Sequence, residues 1–277
     1  KEGPSALACS YEAVGKCLYL LQDFGGAREC HAEALSIREG LHGRNHIEVA
    51  GSLANLGQAL QSLGEYDTAF FHIDRAFQIT RKKFGDSHLR TVAAKEVLGA
   101  FYLDTGNGQK SHELLTSCLS VRKTLLGEGT SHADIAQSSD LLARSFRQSF
   151  KHRDAVELHK AALSMCQEIF GESHPRVAHA LSQLATSLRS YGSVALAREL
   201  QEKSVEMQRD LGAQAGGCLA VGLDNLGHCL AADARLSQAE EAYRESLCLK
   251  IDRAASLDSV AESYENLANI YKRQGKY

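Results

Sequence analysis

The stretch VAGSLANLGQALQSLGEYDTAFFHIDRAFQITRKKFG, residues 49–85, decides the fold of this chain. In its first half, apolar residues recur three and four positions apart, at Leu53, Leu56 and Leu60. In its second half, Ala69, Ile73 and Ala76 recur in the same way. This spacing predicts two helices, each with one apolar face, and Gly64 separates them at a turn. The stretch therefore predicts an antiparallel helix pair.

The same pattern returns along the whole chain. The positions equivalent to Leu56, called the leucine positions below, are Val14, Leu56, Leu98, Leu142, Leu184, Leu226 and Leu267. From Leu56 onward they are 42, 44, 42, 42 and 41 residues apart. Small residues follow them and recur in the second helices, as expected where helices approach to about 8–10 Å. The sequence predicts an all-α fold, an α-solenoid superhelix of six antiparallel helix pairs and a truncated seventh.

We predict a single array over residues 1–277. Its repeats are placed at residues 5–45, 46–87, 88–131, 132–173, 174–215 and 216–258, with a partial repeat at 259–277. The chain begins without methionine and stops inside a repeat, so we expect it to be a fragment of a longer protein.

Composition limits the classes of partner. The 31 basic residues are offset by 34 acidic ones, which argues against nucleic acid, and no apolar run approaches the roughly 20 residues of a membrane helix. The eight cysteines form no CxxC pair, which favours reduced thiols and a cytoplasmic location. Cys17 and Cys229 share a slot of the repeat that we expect to be packed.

No sequence motif indicates an enzyme, a cofactor or a metal. The segment GNGQKS at 106–111 lacks the spacing of a phosphate-binding loop. Four histidines begin successive first helices, namely His46, His88, His132 and His174. Equivalent atoms of neighbouring repeats should lie on the order of 10 Å apart, whereas zinc needs ligands at about 2.0–2.1 Å. We therefore expect these histidines to start helices rather than to bind metal.

Several segments resemble the tetratricopeptide repeat family, with the long 42-residue period of kinesin light chains. They include YENLANIYKRQGKY at 264–277 and FGESHPRVAHALSQLA at 170–185. The resemblance implies that first helices line a concave groove, which holds an extended peptide or a helix of a partner. It also implies, for arrays of the light-chain type, recognition of short acidic cargo segments.

Basic residues form the first candidate set for this groove. Arg144, Arg147 and Arg189 should lie on neighbouring first helices, where guanidinium groups would bind carboxylates. The alternative for Arg144 is a solvated pair with Asp140, four residues earlier. His228 lies on the same stripe of the sixth repeat.

Amides form the second candidate set. Asn55, Asn225 and Asn266 precede a leucine position, and Gln183 fills that slot in the fifth repeat. By the resemblance, such amides pair with the backbone of a bound peptide, and Gln58 and Asn269 lie three residues after two of them. Val97 and Leu141 replace the amide in the third and fourth repeats. The alternative is a set of solvated polar residues.

Two functions follow from this pattern. The first is a scaffold or adaptor module that binds a protein or peptide partner, with an acidic linear motif as the expected ligand. The second is a structural or sensory array that packs against another domain of a larger NTPase-type signalling protein. The pattern leaves the oligomeric state open.

Overall fold

A computed structural model describes residues 2–127, 129–212, 218–252 and 257–276 of the chain. Within those ranges it contains thirteen α-helices and no β-strand. The helices are α1 (Glu2–Leu20), α2 (Phe24–His42), α3 (Ile47–Ser62), α4 (Tyr66–Phe84), α5 (Leu89–Asp104), α6 (Gly108–Leu126), α7 (Ala133–Gln148), α8 (His152–Phe170), α9 (Pro175–Tyr191), α10 (Val194–Leu211), α11 (Cys218–Ala232), α12 (Leu236–Asp252) and α13 (Leu257–Gln274).

The predicted fold class is confirmed, because six helix pairs are followed by a single helix. The chain forms two compact units, Lys1–Glu128 and Gly129–Tyr277. Within each unit every helix packs against the next, and α1 also contacts α3, as α7 contacts α9 and α9 contacts α11. The first helices of a unit thus lie side by side. A single array over residues 1–277 with the stated repeat boundaries stays a prediction.

Small residues after the leucine positions allow the close packing of each pair. A Cβ atom on Gly57 would lie 2.5 Å from Cγ1 of Ile73, and one on Gly227 would lie 2.6 Å from the Tyr243 ring. Both distances are shorter than any ordinary carbon contact, so a side chain there would push the two helices apart. The glycines are therefore required by the packing of the second helix.

The turn inside each pair uses a residue with left-handed backbone. Gly64 adopts a φ of 79°, and Phe150 adopts a φ of 59° at the equivalent turn of the fourth pair. Glycine takes this conformation without steric cost, whereas a bulky side chain is strained in it. The turn geometry is thus kept even where the sequence does not favour it.

The four recurring histidines cap the first helices, which confirms that they begin helices. The Nδ1 atom of His88 accepts a hydrogen bond from the backbone N–H of Arg90 at 3.1 Å, and His46, His132 and His174 cap in the same way. Phe84 stacks on His88 with ring centroids 4.4 Å apart. An imidazole nitrogen thus satisfies a backbone donor that a helix start leaves open.

One packing expectation is wrong. Cys229 is buried and packs against α9 and α10 of the preceding pair, near Leu184 and Ala197. Cys17, at the equivalent position of α1, is exposed. In α11 the face that carries Cys229 is covered by the preceding pair of the unit. The equivalent face of α1 has no preceding pair in its unit, because α1 is the first helix there.

Candidate functional site

The predicted site residues all lie on first helices, in two separate sets. Asn55 and Gln58 lie on α3 of the first unit. The other eight belong to the second unit and are Arg144, Arg147, Gln183, Arg189, Asn225, His228, Asn266 and Asn269. Most of these side chains are half-buried, and Asn269 is exposed.

The three candidate arginines, Arg144, Arg147 and Arg189, come close together in the second unit. Burial, together with the positive charges of Arg144 and Arg189, lowers the pKa of the Arg147 guanidinium below its ordinary value. The guanidinium groups of Arg147 and Arg189 form no hydrogen bond or ion pair with another described residue. Guanidinium groups stay protonated at any working pH, so α7 and α9 present concentrated positive charge.

His228 extends this basic region onto α11. Its Nδ1 atom lies 2.7 Å from the hydroxyl oxygen of Tyr243. Burial and the charge of Arg189 lower the pKa of His228, while Asp224 raises it in part. The imidazole is therefore neutral at pH 7 and adds hydrogen-bonding capacity rather than charge.

Two of the candidate amides are used inside the protein. Asn55 Nδ2 donates to Oε2 of Glu12 on α1 at 2.5 Å, and Asn225 Nδ2 donates to the Ser182 hydroxyl on α9 at 3.2 Å. Both bonds connect a first helix to the preceding first helix. These amides hold neighbouring pairs together, which leaves their carbonyl oxygens for a ligand.

Asn266 differs from the other two. Its Nδ2 atom is buried and makes no hydrogen bond within the described part of the chain. Buried amide nitrogens are costly to leave unpaired, so this side chain has a donor available. Gln183, at the same slot of α9, is half-buried.

The two candidates of the first unit line one cavity of about 250 Å³. Asn55 and Gln58 form part of its wall, with Lys16, Tyr19, Leu20 and His31. The lining contains one lysine and lacks the clustered arginines of α7 and α9. The structure thus brings two of the predicted amides together here, and the predicted arginines together in the second unit.

Buried acid–base pairs are a feature that the sequence analysis missed. An acid stands two residues before the leucine position and pairs with a base on the second helix. Glu12 lies 3.4 Å from Arg38, Glu96 lies 2.7 Å from Arg122, and Asp224 lies 2.8 Å from Lys250. The sequence contains a signal for these pairs, because in all three the base follows its acid by 26 residues.

The described residues contain no group of three or more His, Cys, Asp or Glu side chains placed to hold a metal ion. None of the helices in the described ranges combines the length and the apolar character that crossing a membrane requires. All eight cysteines carry free thiols.

Comparison with known proteins identifies the repeats. A sequence model of the tetratricopeptide repeat matches residues 6–82, 48–124 and 134–210, which together exceed half of the chain. A tetratricopeptide repeat protein 19, mitochondrial, of Mus musculus is 32% identical over 137 residues. That match covers 48% of this chain and 36% of the mouse protein.

A second relative is much longer than this chain. The clustered mitochondria protein homolog of Emericella nidulans is 25% identical over 161 residues, which are 58% of this chain and 13% of that protein. The chain thus spans far less than two thirds of the length of either relative.

Among solved structures, the nearly identical TPR-like repeats of a kinesin light chain protein from Podosopora anserina superpose on this chain with a TM-score of 0.59. The two chains are 21% identical, and the match covers 76% of this chain and 98% of the other. Tetratricopeptide arrays are protein-interaction scaffolds that present extended binding surfaces. The chain belongs to the tetratricopeptide repeat family, and its repeats are of the kinesin light chain type.

Proposed function

We propose that the second unit binds an acidic segment of a protein partner across α7 and α9. The observation that carries the proposal is the convergence of Arg147 and Arg189, two half-buried guanidinium groups without a hydrogen bond or ion pair to a described residue. Bringing like charges together in a partly dry place costs free energy, and bound carboxylates would offset that cost. His228, Asn225 and Gln183 would contribute hydrogen bonds along the same first helices.

The test uses an acidic peptide that contains tryptophan, because this chain has none. Its fluorescence should report saturable binding that weakens as salt is raised from low to physiological concentration. A peptide with Gln and Asn in place of Glu and Asp should bind far less. Equal binding of the two peptides would contradict the proposal.

Charge-reversal variants locate the site. Arg147→Glu with Arg189→Glu should weaken binding by at least about 100-fold, since each of the two charge-assisted contacts is worth about 1.5–3 kcal/mol. A matched control, Arg153→Glu with Arg209→Glu, makes the same change in net charge on the second helices α8 and α10. If the control weakened binding equally, net charge rather than this face would be responsible.

A second candidate function is packing of the array against another domain of a larger protein of the NTPase type. It is favoured by the small share of the Emericella relative that the chain spans. The two functions differ in the source of the ligand. An acidic segment that binds the isolated chain but not the full-length protein would indicate that a flanking domain occupies the face.

We also propose that the protein works as an adaptor without catalytic activity in the cytoplasm, where free thiols such as those found here persist. The mouse relative carries the label mitochondrial. Imaging of the tagged full-length protein would distinguish a cytoplasmic from a mitochondrial location, and a purely mitochondrial signal would contradict the proposal.

A further inference from the structure

A three-residue arrangement recurs in this array and is incomplete in one place. In the first pair, the guanidinium of Arg38 lies 3.4 Å from the Glu12 carboxylate and donates to the Ser52 hydroxyl at 2.7 Å. Glu12 belongs to the first helix of the pair, Arg38 to its second helix, and Ser52 to the next first helix. A cation thus bridges an acid of its own pair and a hydroxyl of the following pair.

The sixth pair repeats this arrangement with lysine. Lys250 Nζ lies 2.8 Å from Asp224 and donates to the hydroxyl of Ser263 on α13 at 2.7 Å. All three residues occupy positions equivalent to those of the first pair. The third pair keeps the acid and the base, with Glu96 and Arg122 2.7 Å apart.

Two other pairs are neutral at both positions. The second pair has Ala54 and Thr80, and the Thr80 hydroxyl bonds within its own helix. The fifth has Ser182 and Gln208, and Gln208 fits because Gly222 follows on the next first helix, where a Cβ would lie 2.4 Å from its Oε1. In these pairs, acid and cation are absent together, as expected if an unpaired buried charge is costly.

The fourth pair breaks this rule. It keeps the acid, Asp140, but has Cys166 in place of the cation and Ala180 in place of the serine. These three residues line one cavity of about 300 Å³. The cavity therefore lies where the first, third and sixth pairs place a long basic side chain.

The walls of the cavity suit such a side chain. Its apolar lining includes Ala133, Ala136, Ala162 and Ala180, beside Pro175 and two cysteines, and its polar lining is Gln137, Asp140, His159, Arg176 and His179. Alanine methyl groups would contact the aliphatic stem, and the carboxylate would receive the charged head. The guanidinium carbon of Arg176 lies over the Phe170 ring, 5.3 Å from its centroid, so this cation is held by the ring.

The Asp140 carboxylate is ionised at neutral pH. Burial raises the pKa of Asp140, but the hydrogen bond and charge of His159, with His179 and Arg144, lower it below 3.8 overall. His159 Nε2 lies 3.3 Å from the carboxylate. The negative charge of Asp140 thus lines the cavity, and Cys166 stands where Arg38 and Lys250 provide a cation in the first and sixth pairs.

The first pair shows that a further cation is compatible with these neighbours. His31 occupies the place of His159, and Lys16 that of Arg144, yet Arg38 still lies beside Glu12. The corresponding depression of the first pair is lined on the α2 side by Arg38 itself. In the fourth pair the lining reaches α8 through His159, Ala162 and Cys166.

We propose that this cavity is a binding site for one basic side chain, arginine or lysine, of a protein partner, with its cationic head beside Asp140. The ligand would supply from outside the charge that Arg38 and Lys250 supply within the chain. The site does not depend on the acidic-segment proposal, because it uses a carboxylate and alanines rather than the arginines of α7 and α9.

The experiment uses the whole chain with labelled alanine methyl groups, observed by NMR. The probe is a short alanine-rich peptide with one arginine, and its control has citrulline, the neutral analogue of similar shape. The arginine peptide should shift the methyl signals of Ala136, Ala162 and Ala180 saturably, with a Kd on the order of 1 mM. The citrulline peptide should bind at least tenfold more weakly. Equal shifts with both peptides, or none with either, would overturn the proposal.

Variants test the same site from inside. Cys166→Arg should abolish the methyl shifts by filling the cavity, and Asp140→Asn should weaken binding at least tenfold. Cys248→Arg is the matched control, because Cys248 is an exposed cysteine of α12 outside the cavity lining, and it should bind normally. Should Cys166→Arg fail to fold, Cys166→Met fills the space without charge and should also block binding. Unchanged binding by a folded Cys166 variant of either kind would overturn the proposal.

Discussion

The first and fourth helix pairs place an acid and a histidine at equivalent positions and treat the buried charge differently. In the first pair, Glu12 is surrounded by Arg38, His31 and the amide of Asn55. In the fourth pair, Asp140 has His159 nearby and a cavity where the arginine would be. In the first pair the acid binds side chains of neighbouring helices, and in the fourth pair the acid is accessible to a ligand.

Removing the arginine of the first pair should have the largest effect. Arg38→Cys copies the fourth pair and leaves Glu12 without its cation, which should lower the free energy of unfolding by about 3 kcal/mol. Urea unfolding followed by circular dichroism measures this change. The double variant Glu12→Gln with Arg38→Met removes both charges and should stay within about 1 kcal/mol of the parent. A loss as large in the double variant would show that packing rather than charge is responsible.

A smaller effect is expected at the residue that faces the histidine. A Cβ on Gly15 would lie 2.7 Å from Cε1 of His31, whereas the fourth pair has the fully buried Ala143 at this position. Gly15→Ala should cost about 1 kcal/mol, because overpacking of about 1–3 kcal/mol outweighs a helix gain of about 0.5–1 kcal/mol. Thermal unfolding compares it with the parent. A more stable Gly15→Ala protein would mean that His31 moves freely into the arrangement of His159.

The smallest effect is a difference in pH dependence. Burial, reinforced by Lys16 and opposed by Glu12, lowers the pKa of His31 below 6.5. The unfolded chain then binds a proton that the folded chain does not, so this stability is complete above pH 6.5 and falls as pH drops below it. The lowered pKa of Asp140 acts in the same direction, but only below about pH 3.8.

Amide hydrogen exchange in α1, α2 and α3 should therefore speed up between pH 6.5 and 5, after correction for the intrinsic rate, before exchange in α7 does. His31→Gln removes the titrating group and should flatten the response of the first pair. Because His72 and His228 also have lowered pKa values, the readout must be local. An unchanged response in His31→Gln would assign the effect to another group.

The helix pairs were predictable because their signal is local and repeated. Apolar spacing defines each helix, and the small residue after the leucine position is fixed by one partner side chain, as Gly57 is by Ile73. The convergence of Arg147 and Arg189 followed from their equivalent positions in neighbouring repeats.

The role of the amides was harder to predict. Asn55 and Asn225 were expected to serve a ligand, but each donates to a residue 43 positions earlier on the preceding first helix. The cavity beside Asp140 depends on what two other helices lack, namely a base at Cys166 and a hydroxyl at Ala180. An absence of this kind becomes visible only when all repeats are aligned on both helices.

The bridge from Arg38 to Ser52 has a consequence for how such arrays change in length. Three second helices carry a side chain matched to the next first helix, as Arg38 is to Ser52, Gln208 to Gly222 and Lys250 to Ser263. Deleting residues 46–87 would place Arg38 opposite Ala94, with no hydroxyl to receive it. The repeats are therefore not interchangeable units, and recombination that shuffles them is tolerated only at junctions where both sides match.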